Sequence, residues 1–132
     1  MINWGIIGFG NMGKQYLNCL QKKSSIFNLT AIASQSKKEV NKLSKDIKFF
    51  NDYDDLMQSD LVDVIYISTL NNTHKILVEK AFKSNKKILC EKPLGMNLNE
   101  VNELHNFLKD NQNNVIEAIA YRAHPQTEIL LN

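Results

Sequence analysis

The sequence predicts an α/β fold, a doubly wound parallel sheet with helices on both faces in three αβα layers. Three observations predict it. Short apolar runs alternate with segments of helical period along the whole chain, the pattern of repeated strand–helix–strand units. A glycine-rich turn, Gly8-Phe9-Gly10-Asn11-Met12-Gly13, follows the first apolar run directly and opens the first helical segment. The 132 residues are 43% hydrophobic and 23% charged, which suits one domain whose core needs no disulfide or metal staple.

Taken in order, Trp4 to Ile7 is the first strand, and a helix from about Asn11 to Lys22 turns Met12, Tyr16 or Leu17, and Leu20 inward. Leu29 to Ala33 is the second strand. Ser36 with Glu39 three residues later reads as a capping box for a helix through about Leu43. A short third strand falls at Lys48 to Phe50, followed by an acidic helical turn, Asp52-Tyr53-Asp54-Asp55-Leu56. Val62 to Ile67 is β-branched or aromatic at most positions and is expected at the sheet centre. A helix from about Thr73 to Lys83 buries Leu77, Val78, Ala81 and Phe82 and leads to a fifth strand, Lys87 to Cys90. Asn97 and Glu100 cap a helix whose inner face holds Leu98, Val101, Leu104 and Leu108, and Val115 to Ala120 is the sixth strand. With right-handed crossovers the expected strand order is 3-2-1-4-5-6.

Composition excludes several classes. Sixteen basic and fourteen acidic side chains leave a net charge of +2, without the concentrated positive field of a nucleic-acid-binding surface. No apolar run approaches the roughly 18 residues of a membrane span, and the opening MINWGIIGFG lacks a basic signal-peptide head. Cys19 and Cys90 are too isolated for a disulfide framework, and His74, His105 and His124 have no metal-ligand spacing, so a cytoplasmic protein without a metal site is expected.

The glycine turn sits where a dinucleotide fingerprint must sit, between a strand and a helix. Gly8 makes the turn, Gly10 admits a pyrophosphate and Gly13 allows helix to pack on strand. An anion there meets the positive end of the helix dipole. At the end of the second strand, where NAD-binding domains usually place an acidic residue, the chain has Ser34-Gln35-Ser36-Lys37-Lys38. Hydroxyls, an amide and a lysine suit a 2′-phosphate that a carboxylate would repel, so NADP is expected in preference to NAD, and Ser34→Asp is expected to reverse that preference.

Cys90-Glu91-Lys92-Pro93-Leu94 falls just past the carboxyl end of the fifth strand, where open α/β sheets bind ligands. Together with the glycine turn, with Asp63 to Thr69, Asn71 and His74, and with Tyr121-Arg122-Ala123-His124-Pro125, it resembles the Gfo/Idh/MocA family of NAD(P)-dependent sugar and polyol oxidoreductases across essentially the whole chain. The resemblance implies a Rossmann fold and hydride transfer between a nicotinamide cofactor and a sugar, polyol or related hydroxy compound. By it Lys92 is the catalytic lysine, Glu91 helps to place it, Asn71 and His74 line the nicotinamide side, Thr69 and Pro93 belong to the cofactor site, and Arg122, also counted with it, lies where the chain leaves the nucleotide domain. It also suggests that the Lys92–Pro93 bond is cis. An ammonium beside an oxidised nicotinamide meets a second positive charge and partial desolvation, which favours the neutral amine that can take a substrate proton.

The chain departs from the family at Leu70, where a proline is usual, and at Asn85, where a glycine is usual. Asn tolerates a left-handed conformation. Family members are more than twice as long, with a second α/β domain that binds substrate. The expected organisation is therefore a nucleotide-binding domain at 1–120 and, at 121–132, the start of a connection to a substrate domain. The alternative is a stand-alone dinucleotide-binding or regulatory module. Apolar surface near the sixth strand and at Ile129-Leu130-Leu131 is expected to favour association into a homo-oligomer.

Overall fold

The structure, a computed structural model, describes residues 1–20, 26–36 and 44–131. Strands β1 (Ile2–Ile7), β2 (Phe27–Ala33), β3 (Lys48–Phe50), β4 (Val64–Ile67), β5 (Lys87–Glu91) and β6 (Val115–Ala118) form one sheet in the order β3-β2-β1-β4-β5-β6. Every pairing is parallel, as the alternating pattern predicts. The helices are α1 (Asn11–Leu20), α2 (Tyr53–Gln58), α3 (His74–Lys83), α4 (Leu98–Leu108) and α5 (Pro125–Leu131). Because all strands run the same way, their carboxyl ends share one edge, and the strand order reverses there between β1 and β4.

The sheet is buried on two unequal faces. Beneath α2, α3 and α4, a core of Ile7, Ile65, Ile67 and Ile88 packs on Leu56, Val78 and Leu104. On the other face Ile6, Ile32 and Tyr66 pack with Leu20, and Trp4 and Tyr16 close the cluster from the side. That second layer covers only part of its face. Ile116 on β6 remains 61% exposed, and an open groove of about 700 Å³ runs between α1, β5, β6 and residues 119–123.

Local chemistry accounts for several boundaries. Asp52 accepts a hydrogen bond from the Asp54 N–H at 2.6 Å and caps α2. Asn97 caps α4 through the Glu100 N–H at 3.0 Å, while the Glu100 carboxylate takes the Met96 N–H at 2.8 Å. Asn85 adopts φ +57 after α3, the left-handed geometry that asparagine tolerates.

Several expectations change, among them the start of β4 at Val64 rather than Val62. Leu98 and Val101 are exposed, and of the expected stripe only Leu104 and Leu108 reach the core. Met12 is exposed and lines the groove, so the inward face of α1 is Tyr16, Leu17 and Leu20. β6 ends at Ala118, two residues early, and gives way to a turn at Ala120–Ala123. Residues 125–131 form a helix that Pro125 opens, since proline lacks only an N–H that the first helical turn leaves unpaired. The helix expected from Ser36 to Leu43 lies, beyond Ser36, outside the described residues. Among the described residues no helix is long and apolar enough to cross a membrane, and no group of His, Cys, Asp and Glu is arranged to hold a metal.

Candidate cofactor-binding and catalytic site

The glycine turn is built by close backbone approach. Gly8 has φ +89. A Cβ there would stand 2.8 Å from the Ser68 backbone, which leaves room only for glycine. The Gly8 N–H donates to the Ala33 carbonyl at 3.0 Å, and the Ser68 hydroxyl donates to the Gly8 carbonyl at 2.7 Å, so β2 and β4 both hold the turn. A side chain on Gly13 would run into the Gly8 carbonyl oxygen, and its absence lets α1 seat against β1.

Gly10 differs from both. A Cβ there meets nothing within 4 Å, so the protein's own packing makes no demand for glycine at this position. The bare backbone leaves open the space before the first turn of α1, whose N–H groups lack intrahelical partners. That cradle fits a dinucleotide pyrophosphate. Phe9 is half-buried against the core, and Asn11 and Met12 are exposed beside the opening.

At the end of β2 the Ser34 N–H donates to the Phe50 carbonyl at 3.2 Å. Its hydroxyl accepts from the Ser36 N–H at 3.2 Å. Ser34 is buried, while Gln35 and Ser36 are exposed, and none of the three is acidic. Lys37 lies outside the described residues.

Past β4, Thr69 is half-buried and its hydroxyl shares a 2.7 Å hydrogen bond with that of Thr73. Asn71 is exposed at the start of the helical turn Asn71–Thr73. His74 departs from expectation. It is 0% exposed, so its ring is turned into the protein rather than toward the opening. Its Nδ1 lies 2.8 Å from the Pro93 carbonyl and its Nε2 3.3 Å from the Thr69 carbonyl. The shorter contact assigns the ring proton to Nδ1, donating to Pro93.

Past β5, Lys92 and Pro93 are exposed and joined by a cis peptide bond. The Lys92 N–H donates to Glu91 Oε2 at 3.3 Å, and the Tyr66 hydroxyl donates to Glu91 Oε1 at 2.5 Å. Tyr66 stacks on Tyr16 with ring centroids 4.0 Å apart. Burial, together with the Glu91 carboxylate that its proton bonds, holds the Tyr66 hydroxyl protonated far above the ordinary tyrosine range. Leu94 donates its N–H to Glu117 Oε1 at 2.8 Å. Burial, with the charges of Glu91 and Glu117, pushes the Cys90 thiol up to about 12, so it is no nucleophile at neutral pH. Arg122 is exposed in the turn after β6 and faces the groove shared with Tyr66 and Glu91.

The expected site residues that the structure describes therefore lie beyond the carboxyl ends of the strands, along one edge of the sheet. Two supporting residues were missed in the sequence. Tyr66 stands out in the sequence as a β former and as part of the Asp63–Thr69 segment, with no partner indicated, although a hydroxyl-tipped ring in a central strand needs one. Glu117 was read only as part of a strand, although a carboxylate between apolar neighbours is itself a signal.

A backbone cradle at a helix start, with an exposed lysine on a braced turn two strands away, defines a dinucleotide-binding domain of the oxidoreductase kind. Residues 2–119 match the model of the oxidoreductase family with an NAD-binding Rossmann fold, and the chain belongs to this Gfo/Idh/MocA family. Human trans-1,2-dihydrobenzene-1,2-diol dehydrogenase is 30% identical over 133 residues, covering 98% of this chain and 40% of that protein. Among solved structures, scyllo-inositol dehydrogenase from Lactobacillus casei, with NAD(H) and scyllo-inositol bound, superposes with a TM-score of 0.88 at 22% identity, over 98% of this chain and 39% of that one. A 3-ketoreductase from Actinomadura kijaniata in complex with TDP-benzene and NADP gives 0.82 at 22% identity, over 98% and 42%. These two likenesses show the shared fold. The chain spans about 40% of the length of the dihydrodiol dehydrogenases it matches.

Proposed function

We propose that this chain is the NADP-preferring cofactor domain of a dehydrogenase acting on a sugar, polyol or related hydroxy compound. The observation that carries the reading is the pairing of the open cradle at Gly10 with the braced, exposed Lys92 turn on the same sheet edge. Gly8, Phe9, Gly10, Asn11, Met12 and Gly13 would hold the pyrophosphate, with Ser34, Gln35, Ser36 and Lys37 around the adenosine ribose. Thr69, Asn71, Glu91, Pro93 and Arg122 would border the nicotinamide end, supported by His74. The cofactor, when bound, supplies a hydride acceptor or donor. Lys92 would take the proton of the substrate hydroxyl or return it, and its exposure leaves the amine open to such a partner.

The NADP preference is supported by the exposed amide and hydroxyl at Gln35 and Ser36 and by the absence of a carboxylate from 34–36. The polyol class is supported by the dihydrodiol and inositol dehydrogenases among its relatives and structural neighbours. Residues 1–120 then form the nucleotide domain and 121–132 open the connection to a second domain, in keeping with the greater length of those relatives. The two free cysteines, Cys19 and Cys90, suit a reducing cytoplasm.

The test is titration of the chain with NADPH and NADH, followed by Trp4 fluorescence and thermal shift. NADPH is expected to bind more tightly, and Ser34→Asp, which keeps an acceptor for the Ser36 N–H but adds a negative charge at the end of β2, is expected to reverse the order. Tighter binding of NADH by the unmodified chain would overturn the preference, and binding of neither would overturn the cofactor reading.

A further inference from the structure

The turn that carries Lys92 is gripped through the peptide groups that follow the lysine. On one side the buried His74, the first residue of α3, donates from Nδ1 to the Pro93 carbonyl at 2.8 Å. On the other, Glu117 in β6 accepts the Leu94 N–H on Oε1 at 2.8 Å. The two grips come from different elements and engage adjacent residues, with opposite hydrogen-bond polarity, so neither can slide without breaking the other. Glu117 has no basic partner among the described ion pairs. It lies half-buried on the edge strand, in register with Cys90, where a carboxylate without a bonded donor would carry a desolvation cost. Its place in the sheet is thus tied to the turn.

We propose that Glu117 is a positioning residue for Lys92: its carboxylate clamps the Leu94 peptide, and with His74 it sets where the lysine stands relative to the nicotinamide end of the cradle. This rests on the cofactor reading above and extends it to a residue in the last strand. The function required of Glu117 is an acceptor oxygen at the right distance, not a negative charge. A glutamine therefore suffices, and an alanine does not.

The experiment compares the unmodified chain with Glu117→Gln and Glu117→Ala, using NADPH and its truncated form lacking nicotinamide, 2′-phospho-ADP-ribose, as probes. Hydrogen exchange of the Leu94 amide is read by NMR in the same samples. Glu117→Ala is expected to speed Leu94 exchange and to weaken NADPH roughly fivefold, the scale of one lost hydrogen bond. It is expected to leave the truncated probe within about twofold, because the cradle at Gly8 to Gly13 is distant from the clamp. Glu117→Gln is expected to match the unmodified chain in all three. Equal loss of both probes, or unchanged Leu94 exchange in Glu117→Ala, would overturn the proposal, as would a Glu117→Gln variant that behaves like the alanine. If Glu117→Ala does not fold, the glutamine variant decides. Failure of the unmodified chain to bind either probe would instead count against the cofactor reading, and the proposal would fall with it.

Discussion

At the residue scale, the site depends on atoms that are missing as much as on those present. Gly13 gives α1 its seat because no Cβ can stand beside the Gly8 carbonyl. Gly13→Ala is expected to cost about 2 kcal/mol, since the obstacle is backbone and cannot rotate away. It should also abolish cofactor binding; urea unfolding and NADPH titration check the two effects separately. Protonation makes a second prediction. Cys90 titrates ordinarily at 9.0 and is pushed up to about 12 by burial, and Tyr16 moves from 10.0 to about 12 for the same first reason. The folded state therefore holds more protons than the unfolded state across that range. Stability should be complete below about pH 9 and fall as pH rises toward 12, by about 1 kcal/mol per unit for a buried group such as Cys90. Urea melts at neutral and alkaline pH are expected to show a shallower alkaline decline for Cys90→Ala; parallel profiles would refute the assignment. The glycines were legible because their requirement is local to the chain. The roles of Tyr66 and Glu117, and the burial of His74, were not, because their partners stand 25, 23 and 19 residues away.

At the element scale, caps and periodicity carried the prediction where helices meet the sheet and misled it where they do not. Asn97 and Glu100 begin α4 as their spacing demands. Asn97→Ala is expected to lower stability by about 1 kcal/mol, the usual cost of an N-cap, measured as a drop in Tm. The apolar stripe of the same helix overstated its buried length. Leu98 stands 73% exposed while Leu104 is 1% exposed, because period reports which residues share a face and not how far the neighbouring layer extends. α5 escaped notice for a related reason, since seven residues are too few for a periodic signal.

At the scale of the whole molecule, among the described residues one face of the sheet is covered by three helices and the other chiefly by α1, leaving the groove beside β6. Lys92 stands exposed at that edge, whereas hydride transfer needs the reacting carbon held about 3–3.5 Å from a nicotinamide, an arrangement that supplies many kcal/mol of the barrier. The 132-residue chain is accordingly expected to bind cofactor but to show no dehydrogenation of inositols, sugars or diols in coupled absorbance assays. Steady turnover by the purified chain would contradict this. Ile116, Ile129, Leu130 and Leu131 are 61 to 82% exposed. Self-association in sedimentation is expected to grow with concentration and to weaken when Leu130 and Leu131 are made polar. The sequence by itself determined the parallel sheet, its strand order and the place of the glycine turn, because strand–helix alternation and handed crossovers leave few ways to fold. Only the tertiary structure decided which side chains brace Lys92 and which face of the sheet stays open, because those depend on contacts between residues far apart in the chain, which no local period or propensity encodes.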